Sequence, residues 1–171
     1  MHCVTDSSTW INLKNAGLLK EALRLPFVWL IPDVILEEEL DDPSGKWLEE
    51  QGVQRCELSG PQVELVAEMA VRYLRPSRND LFALVQAKEE GSLLLTDDGP
   101  LRKAACAEGV QVHGTLWVLD QLLSQALINK RTAAERLRRM IKAGARFPAE
   151  EVARRLLRWE GERDGPEPES A

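Results

Sequence analysis

Five short apolar runs, separated by stretches of helical periodicity, constrain this chain more than any other feature. The runs are residues 2–6, PFVWLI at 26–31, VQRCEL at 53–58, SLLLT at 92–96 and VQVH at 110–113. Each is too short for a buried helix and reads as a strand. Between them the apolar residues fall at three- and four-residue steps. Trp10, Leu13, Leu18 and Leu19 mark a helix over 8–23 with Gly17 as its break, and Pro32-Asp33 opens VILEEEL. Ser59-Gly-Pro-Gln62 has the form of a capping box ahead of Val63, Val66, Ala67 and Ala70, and Pro76 stops that helix. Another helix runs from Ser77 to Glu90 and ends at Gly91, and 99–107 and 115–127 complete the series. Strands that alternate with helices are joined by crossovers and pair in parallel, so both faces of the sheet are buried. The expected fold is a three-layer α/β/α sandwich on a central parallel sheet of about four or five strands, with helices added at the C-terminus.

Beyond residue 130 the strand signals cease. Thr132-Ala-Ala-Glu135 reads as a second capping box, followed by Ala133, Leu137, Met140 and Ile141 on one apolar face. Gly144 and Pro148 separate this helix from another bearing Val152, Leu156, Leu157 and Trp159. The expected organisation is an α/β domain over 1–128, a helical extension over 129–160 and a polar, disordered tail over 161–171.

Charge follows the same division. The net charge of −6 hides an acidic body, with eleven Lys/Arg against twenty Asp/Glu over 1–129. Residues 130–163 reverse this, with eleven against five. A basic helical segment on an acidic body is either a solvated face or a polyanion contact. No apolar run approaches the length of a membrane span, and no basic n-region precedes an apolar stretch, so the expected location is the cytoplasm. Cys3, Cys56 and Cys106 have no zinc spacing and sit in apolar surroundings, where buried, reduced thiols are expected. With His2 and His113 as its two histidines, the chain offers no histidine-based triad or zinc site. No G-x-G-x-x-G follows the first strand, which excludes a dinucleotide site of that type.

The acids carry the chemistry. Asp6 ends the first strand, and Asp97 and Asp98 end SLLLT. In a parallel sheet these ends share the edge where open α/β folds bind ligands. Glu37, Glu38 and Glu39 open the helix after PFVWLI, and Asp80 lies in the first turn of the helix that returns to SLLLT. Four segments thus bring carboxylates to one rim. Each has a structural reading, as a helix cap, a capping-box partner or a solvated charge. Together they repel one another, and a divalent cation relieves that conflict. Oxygen ligands without histidine or thiol select Mg²⁺ or Mn²⁺, ions suited to phosphodiester hydrolysis.

Several segments resemble the PIN domain, a family of metal-dependent ribonucleases that includes toxins of bacterial and archaeal toxin–antitoxin pairs. They are VTDSSTWINL (4–13), IPDVILEEEL (31–40), RNDLFALVQAKEEGSLLLTDDGPLRKAA (78–105) and GVQVHGTLWVLDQL (109–122). The segment LRRMIKAGARFPAEEVARRLLRWEGE (137–162) resembles the tail of one PIN subgroup. Carried over by position, the resemblance implies metal-binding acids at Asp6, Glu38, Asp80 and Asp98, with Asp97 sharing or replacing the last role. Glu38 is chosen for its match to the preceding V-I-L, and the register leaves Glu37 and Glu39 open. Ser8 and Thr96 match small polar positions that support the acids. The implied activity is metal-dependent endoribonucleolytic cleavage, with RNA as substrate and an antitoxin protein and a second copy of the chain as partners. In that setting Arg138, Arg139, Arg154 and Arg155, with Arg136, Lys142 and Arg158, attract RNA or dock an acidic partner. The rival expectation is a PIN-like binding or regulatory module with weak catalysis.

Overall fold

The computed structural model describes residues 1–40 and 44–161. The tail expected to be disordered lies, from residue 162 onward, outside the described residues. Five strands form one sheet: β1 (His2–Thr5), β2 (Val28–Pro32), β3 (Gln54–Cys56), β4 (Leu93–Leu95) and β5 (Val112–His113). All pair in parallel, in the order β3-β2-β1-β4-β5. The first strand is therefore central. The chain steps outward from it through β2 and β3 on one side, and returns to its other side through β4 and β5. A topological switch point falls between β1 and β4, where the connections leaving the two strands diverge and open a crevice.

Ten helices cover the sheet among the described residues: α1 (Ser7–Ala16), α2 (Leu19–Ala22), α3 (Asp33–Glu38), α4 (Ser44–Glu50), α5 (Gly60–Arg72), α6 (Arg78–Glu89), α7 (Gly99–Ala107), α8 (Thr115–Ser124), α9 (Lys130–Lys142) and α10 (Ala149–Gly161). The expected α/β/α sandwich with C-terminal helices is observed. Helix α6 is buried from Leu81 through Ala87 because it lies across β1, β2 and β4 with α3, α5 and α7 around it. Helix α1 packs with α2, α8 and α9. It stops where expected, at Gly17, whose φ of 68° lets its N–H turn back to the carbonyls of Leu13 and Lys14. Arg136 of α9 donates to the Ala16 carbonyl at 3.0 Å, so the C-terminal helices cap the end of α1. Helix α10 is pinned to α8 through Asp120, which accepts from Arg155 at 2.7 and 3.0 Å and from Arg158 at 2.6 Å.

Local details depart from the sequence reading. Helix α9 begins at Lys130, and Asn129 is its cap, accepting from the Thr132 N–H at 2.8 Å. Thr132 is therefore inside the first turn, not the head of a capping box; Asn offers the same acceptor three residues earlier. On α5 the buried residues are Val66 and Met69, while Val63, Ala67 and Ala70 face outward. Two interleaved apolar stripes wind around that helix, and the long Met side chain occupies the core. Ile141 and Leu157 are exposed, and Ala134 and Trp159 are buried in the core of the extension. Of the cysteines only Cys3 is buried; Cys56 is half-buried and Cys106 is exposed on the outer side of α7.

Candidate active site

The acids are placed by the ends of β1 and β4 and by the helices that start there. Asp6 follows β1 directly and caps α1. It is 1% exposed. Its carboxylate accepts from Ser8 Oγ at 2.8 Å on both oxygens, from the Thr9 N–H at 3.2 Å and from Thr96 Oγ1. The Asp6 N–H donates to the Leu95 carbonyl at 3.2 Å and so ties it to β4. Ser8 and Thr96 thus support Asp6 by direct hydrogen bonds. Burial pushes the Asp6 pKa up to about 7; those hydrogen bonds lower it, and nearby Asp97 raises it further.

Asp97 is committed on every side. It accepts from Asn12 Nδ2 at 2.8 Å, from the Thr115 N–H at 2.9 Å and from Thr115 Oγ1. It binds the end of β4 to α1 and to the first turn of α8, whose cap residue Gly114 has no side chain to offer. Asp98 caps α7, accepting from the Leu101 N–H at 2.7 Å, and its own N–H donates to Thr96 Oγ1 at 3.0 Å. Asp80 completes a capping box with Ser77, accepting from the Ser77 N–H at 2.7 Å and donating its N–H to Ser77 Oγ at 3.1 Å. Burial raises the Asp80 pKa, and Asp98 and Glu39 are close enough to add to the rise.

Within the glutamate triplet the three side chains diverge. Glu37 pairs with Arg55 at 2.6 Å. Glu38 accepts from Asn79 Nδ2 at 3.0 Å and lies 3.7 Å from Arg78. Glu39 accepts from Ser7 Oγ, next to Asp6 in the chain, and interacts with Asp80. Glu38 thus reaches the base of α6, whereas Glu39 reaches the acids themselves. Among the described residues, no lysine or arginine forms an ion pair with Asp6, Glu39, Asp80, Asp97 or Asp98, and no three of these acids stand together as a ready metal cage.

The arginines of the extension are engaged within the chain. Arg138 pairs with Glu160 at 2.6 Å, Arg154 with Glu151, and Arg155 with Asp120 and Glu151, each at 2.7 Å. The Arg155 side chain is only 13% exposed. Arg139 extends beside Arg136 toward Gly17, at the end of α1. These contacts fasten α9 and α10 to the body and to each other.

Sequence reasoning missed Ser7 and Asn12, and held Glu39 only as an open alternative to Glu38. Asn12 meets an acid 85 positions away, a contact without local signature. Ser7 was legible only as one of two serines after Asp6. Thr115 stood in the quoted GT pair, but its hold on Asp97 was not anticipated.

A family model described as PIN domain (DUF3368) matches residues 2–161. No curated protein matches the sequence. Among solved structures, VapBC-1 from nontypeable Haemophilus influenzae is similar at 16% identity with a TM-score of 0.47, over 67% of this chain and 98% of that one. The family match spans the sheet, the rim of acids and the C-terminal helices alike, and the chain belongs to the PIN-domain family.

Proposed function

We propose that this chain is a metal-dependent endoribonuclease whose site is the acidic rim between β1 and β4. The observation that supports this most is Asp6, a carboxylate 1% exposed, beside a second acid, with no cation among the described residues to offset it. A structural cap has no use for that burial. The donor set suits a hard divalent ion, because carboxylate and hydroxyl oxygens line the rim. A tight cage is not needed: Mg²⁺ keeps several waters and is held through one or two carboxylates. Asp6, Asp80 and Asp98 would hold Mg²⁺ or Mn²⁺, with a glutamate from the triplet. Glu38 is the residue implied by family position, and Glu39 is favoured by its hydrogen bond from Ser7 and its electrostatic influence on Asp80. Asp97, with both oxygens taken, positions the end of β4 and α8. The bound ion supplies charge neutralisation and an activated water for phosphodiester hydrolysis.

The chain's own residues set the stage for that chemistry. Ser8 and Thr96 fix the Asp6 carboxylate in one orientation. The starts of α1, α6, α7 and α8 point N–H groups and positive dipole ends toward the rim, which favours an approaching phosphate. In this proposal residues 1–128 form the nuclease unit and 129–160 an extension that braces α1 and α8. The toxin role, with an antitoxin protein partner and a homodimer, is carried over from the family resemblance.

A binding module with weak catalysis is the second reading, and the absence of three gathered acids among the described residues favours it. One assay separates the two. A fluorescently labelled single-stranded RNA is incubated with wild type and Asp6→Asn in Mn²⁺, with EDTA as control. The nuclease reading expects cleavage by wild type alone, abolished by EDTA. Equal behaviour of the two proteins rejects it.

A further inference from the structure

A column of aromatic rings runs from the core to the edge of the sheet beside the acidic rim. Trp10 and Trp29 meet at 5.1 Å, and Trp29 meets the edge of Phe27 at 5.3 Å. From Phe27 the rings turn parallel. Phe27 stacks on Trp117 at 5.6 Å with planes 12° apart, and Trp117 stacks on His113 at 4.5 Å with planes 11° apart. His113 is half-buried and ends the column, with no further ring upon it among the described residues. It closes β5, the outermost strand, and its carbonyl accepts from the Thr96 N–H at 2.9 Å. Thr96 is the residue that donates to Asp6. Two strand spacings, about 10 Å, therefore separate the His113 backbone from the end of β1, where Asp6 follows. Arg102 stands nearby, donating to the Thr96 carbonyl at 3.0 Å; burial, and then the Arg102 charge, lower the His113 pKa.

We infer that the His113 ring, backed by Trp117 and flanked by Arg102, is a stacking platform for one unpaired base of single-stranded RNA, set to the side of the acidic rim. This inference rests on the nuclease reading of that rim. An imidazole held parallel to an indole prolongs a π-stack, and every base has a face to add to it. The neighbouring guanidinium supplies positive charge for a phosphate on an otherwise acidic edge. The platform is indifferent to base identity and distinguishes single strands from duplex.

The test measures binding of a labelled single-stranded oligoribonucleotide to the full chain in EDTA at low salt, beside cleavage of the same strand in Mn²⁺. His113→Ala is expected to weaken binding ~5- to 150-fold, the range for loss of one base–aromatic stack. His113→Phe, which keeps a ring, restores binding to within about threefold of wild type. An unchanged affinity in His113→Ala overturns the platform and leaves the nuclease reading intact if wild type cleaves. Failure of the Phe variant to rescue, with an unaltered melting temperature, also overturns it. Binding that depends on His113 without cleavage in Mn²⁺ supports the platform and removes the nuclease reading; absence of both binding and cleavage removes both.

Discussion

Replacing Asp6 by Asn is expected to stabilise the metal-free protein while abolishing its proposed activity. Burial pushes the Asp6 pKa from 3.8 up to about 7. Between those values the native state holds a proton that the unfolded chain has lost, so stability falls as pH rises through this window. Each pH unit is worth about 1.4 kcal/mol, and the full shift amounts to about 4 kcal/mol of strain at pH 8. Asn removes the charge and keeps an acceptor for Ser8 and the Thr9 N–H. Its amide group, however, meets Thr96 Oγ1, which already accepts from the Asp98 N–H. Realigning that hydroxyl costs roughly 1 kcal/mol. The expected net gain at pH 8 is thus about 2–3 kcal/mol, shrinking to nothing or reversing at pH 4. Urea denaturation of both proteins at pH 4, 6 and 8 in EDTA measures this directly. A wild type whose stability is flat from pH 4 to 7, or an Asn variant that is less stable at pH 8, refutes the reasoning. Adding Mn²⁺ then raises the wild-type midpoint and leaves the variant unmoved, because a ligand stabilises only the state that binds it.

Three further perturbations address one support of the rim and two of the scaffold around it. In Gly114→Ala the new Cβ collides with Asp97 Oδ1 and is crowded by the Thr96 carbonyl at 3.1 Å and Arg102 Nη1 at 3.3 Å, although its φ of −134° suits any residue. A loss of about 1–3 kcal/mol is expected in chemical denaturation. Glu108, at the opposite edge, accepts from Lys88 and Tyr73 at 2.6 Å and from Arg72 at 2.7 Å, and these partners pull its pKa from 4.5 to about 2. Glu108→Gln should cost about 1–3 kcal/mol at pH 7. This contribution is fully present above pH 4.5 and is lost as pH falls toward 2, so the gap between variant and wild type closes in acid. Arg155→Ala releases Asp120 and Glu151 together; hydrogen exchange should show α10 losing protection while the strands keep theirs.

The fold was legible because its signals are local and mutually consistent. SLLLT cannot be anything but a short buried strand, and Gly17 stops α1 as its position suggests. The site was legible to the extent that it depends on strand ends. Asp6, Asp97 and Asp98 follow from β1 and β4 alone, since the switch point puts those ends together. What depends on the rotation of a side chain was not legible. The choice between Glu38 and Glu39 turns on a six-residue helix whose last turn swings Glu39 toward Ser7 and Glu38 toward Asn79. The basic segment stayed ambiguous for a related reason. Its arginines alternate along amphipathic helices in a pattern common to polyanion contacts and to internal ion pairs. Only the placement of α10 against α9, which carries Arg155 to α8, shows that Arg155 belongs to Asp120.

Every acid on the rim also has a structural occupation, and that overlap bears on the function. Asp6 caps α1, Asp98 caps α7 and Asp80 closes the box at α6. A cap requires an acceptor, which Ser, Thr or Asn supplies without a charge to bury. At Asn129 and Ser77 the chain uses such neutral caps. A carboxylate used only as a cap is stabilised in its ionised form by the helix dipole, and its pKa falls. At Asp6 and Asp80 the opposite holds, because burial and neighbouring acids outweigh the capping bonds. The helix starts orient these carboxylates, but they do not account for their charge. On the proposed reading a cation from outside the chain relieves that charge where protonation no longer does, and the stabilisation of wild type by Mn²⁺ above pH 7, absent in Asp6→Asn, measures this without reference to catalysis.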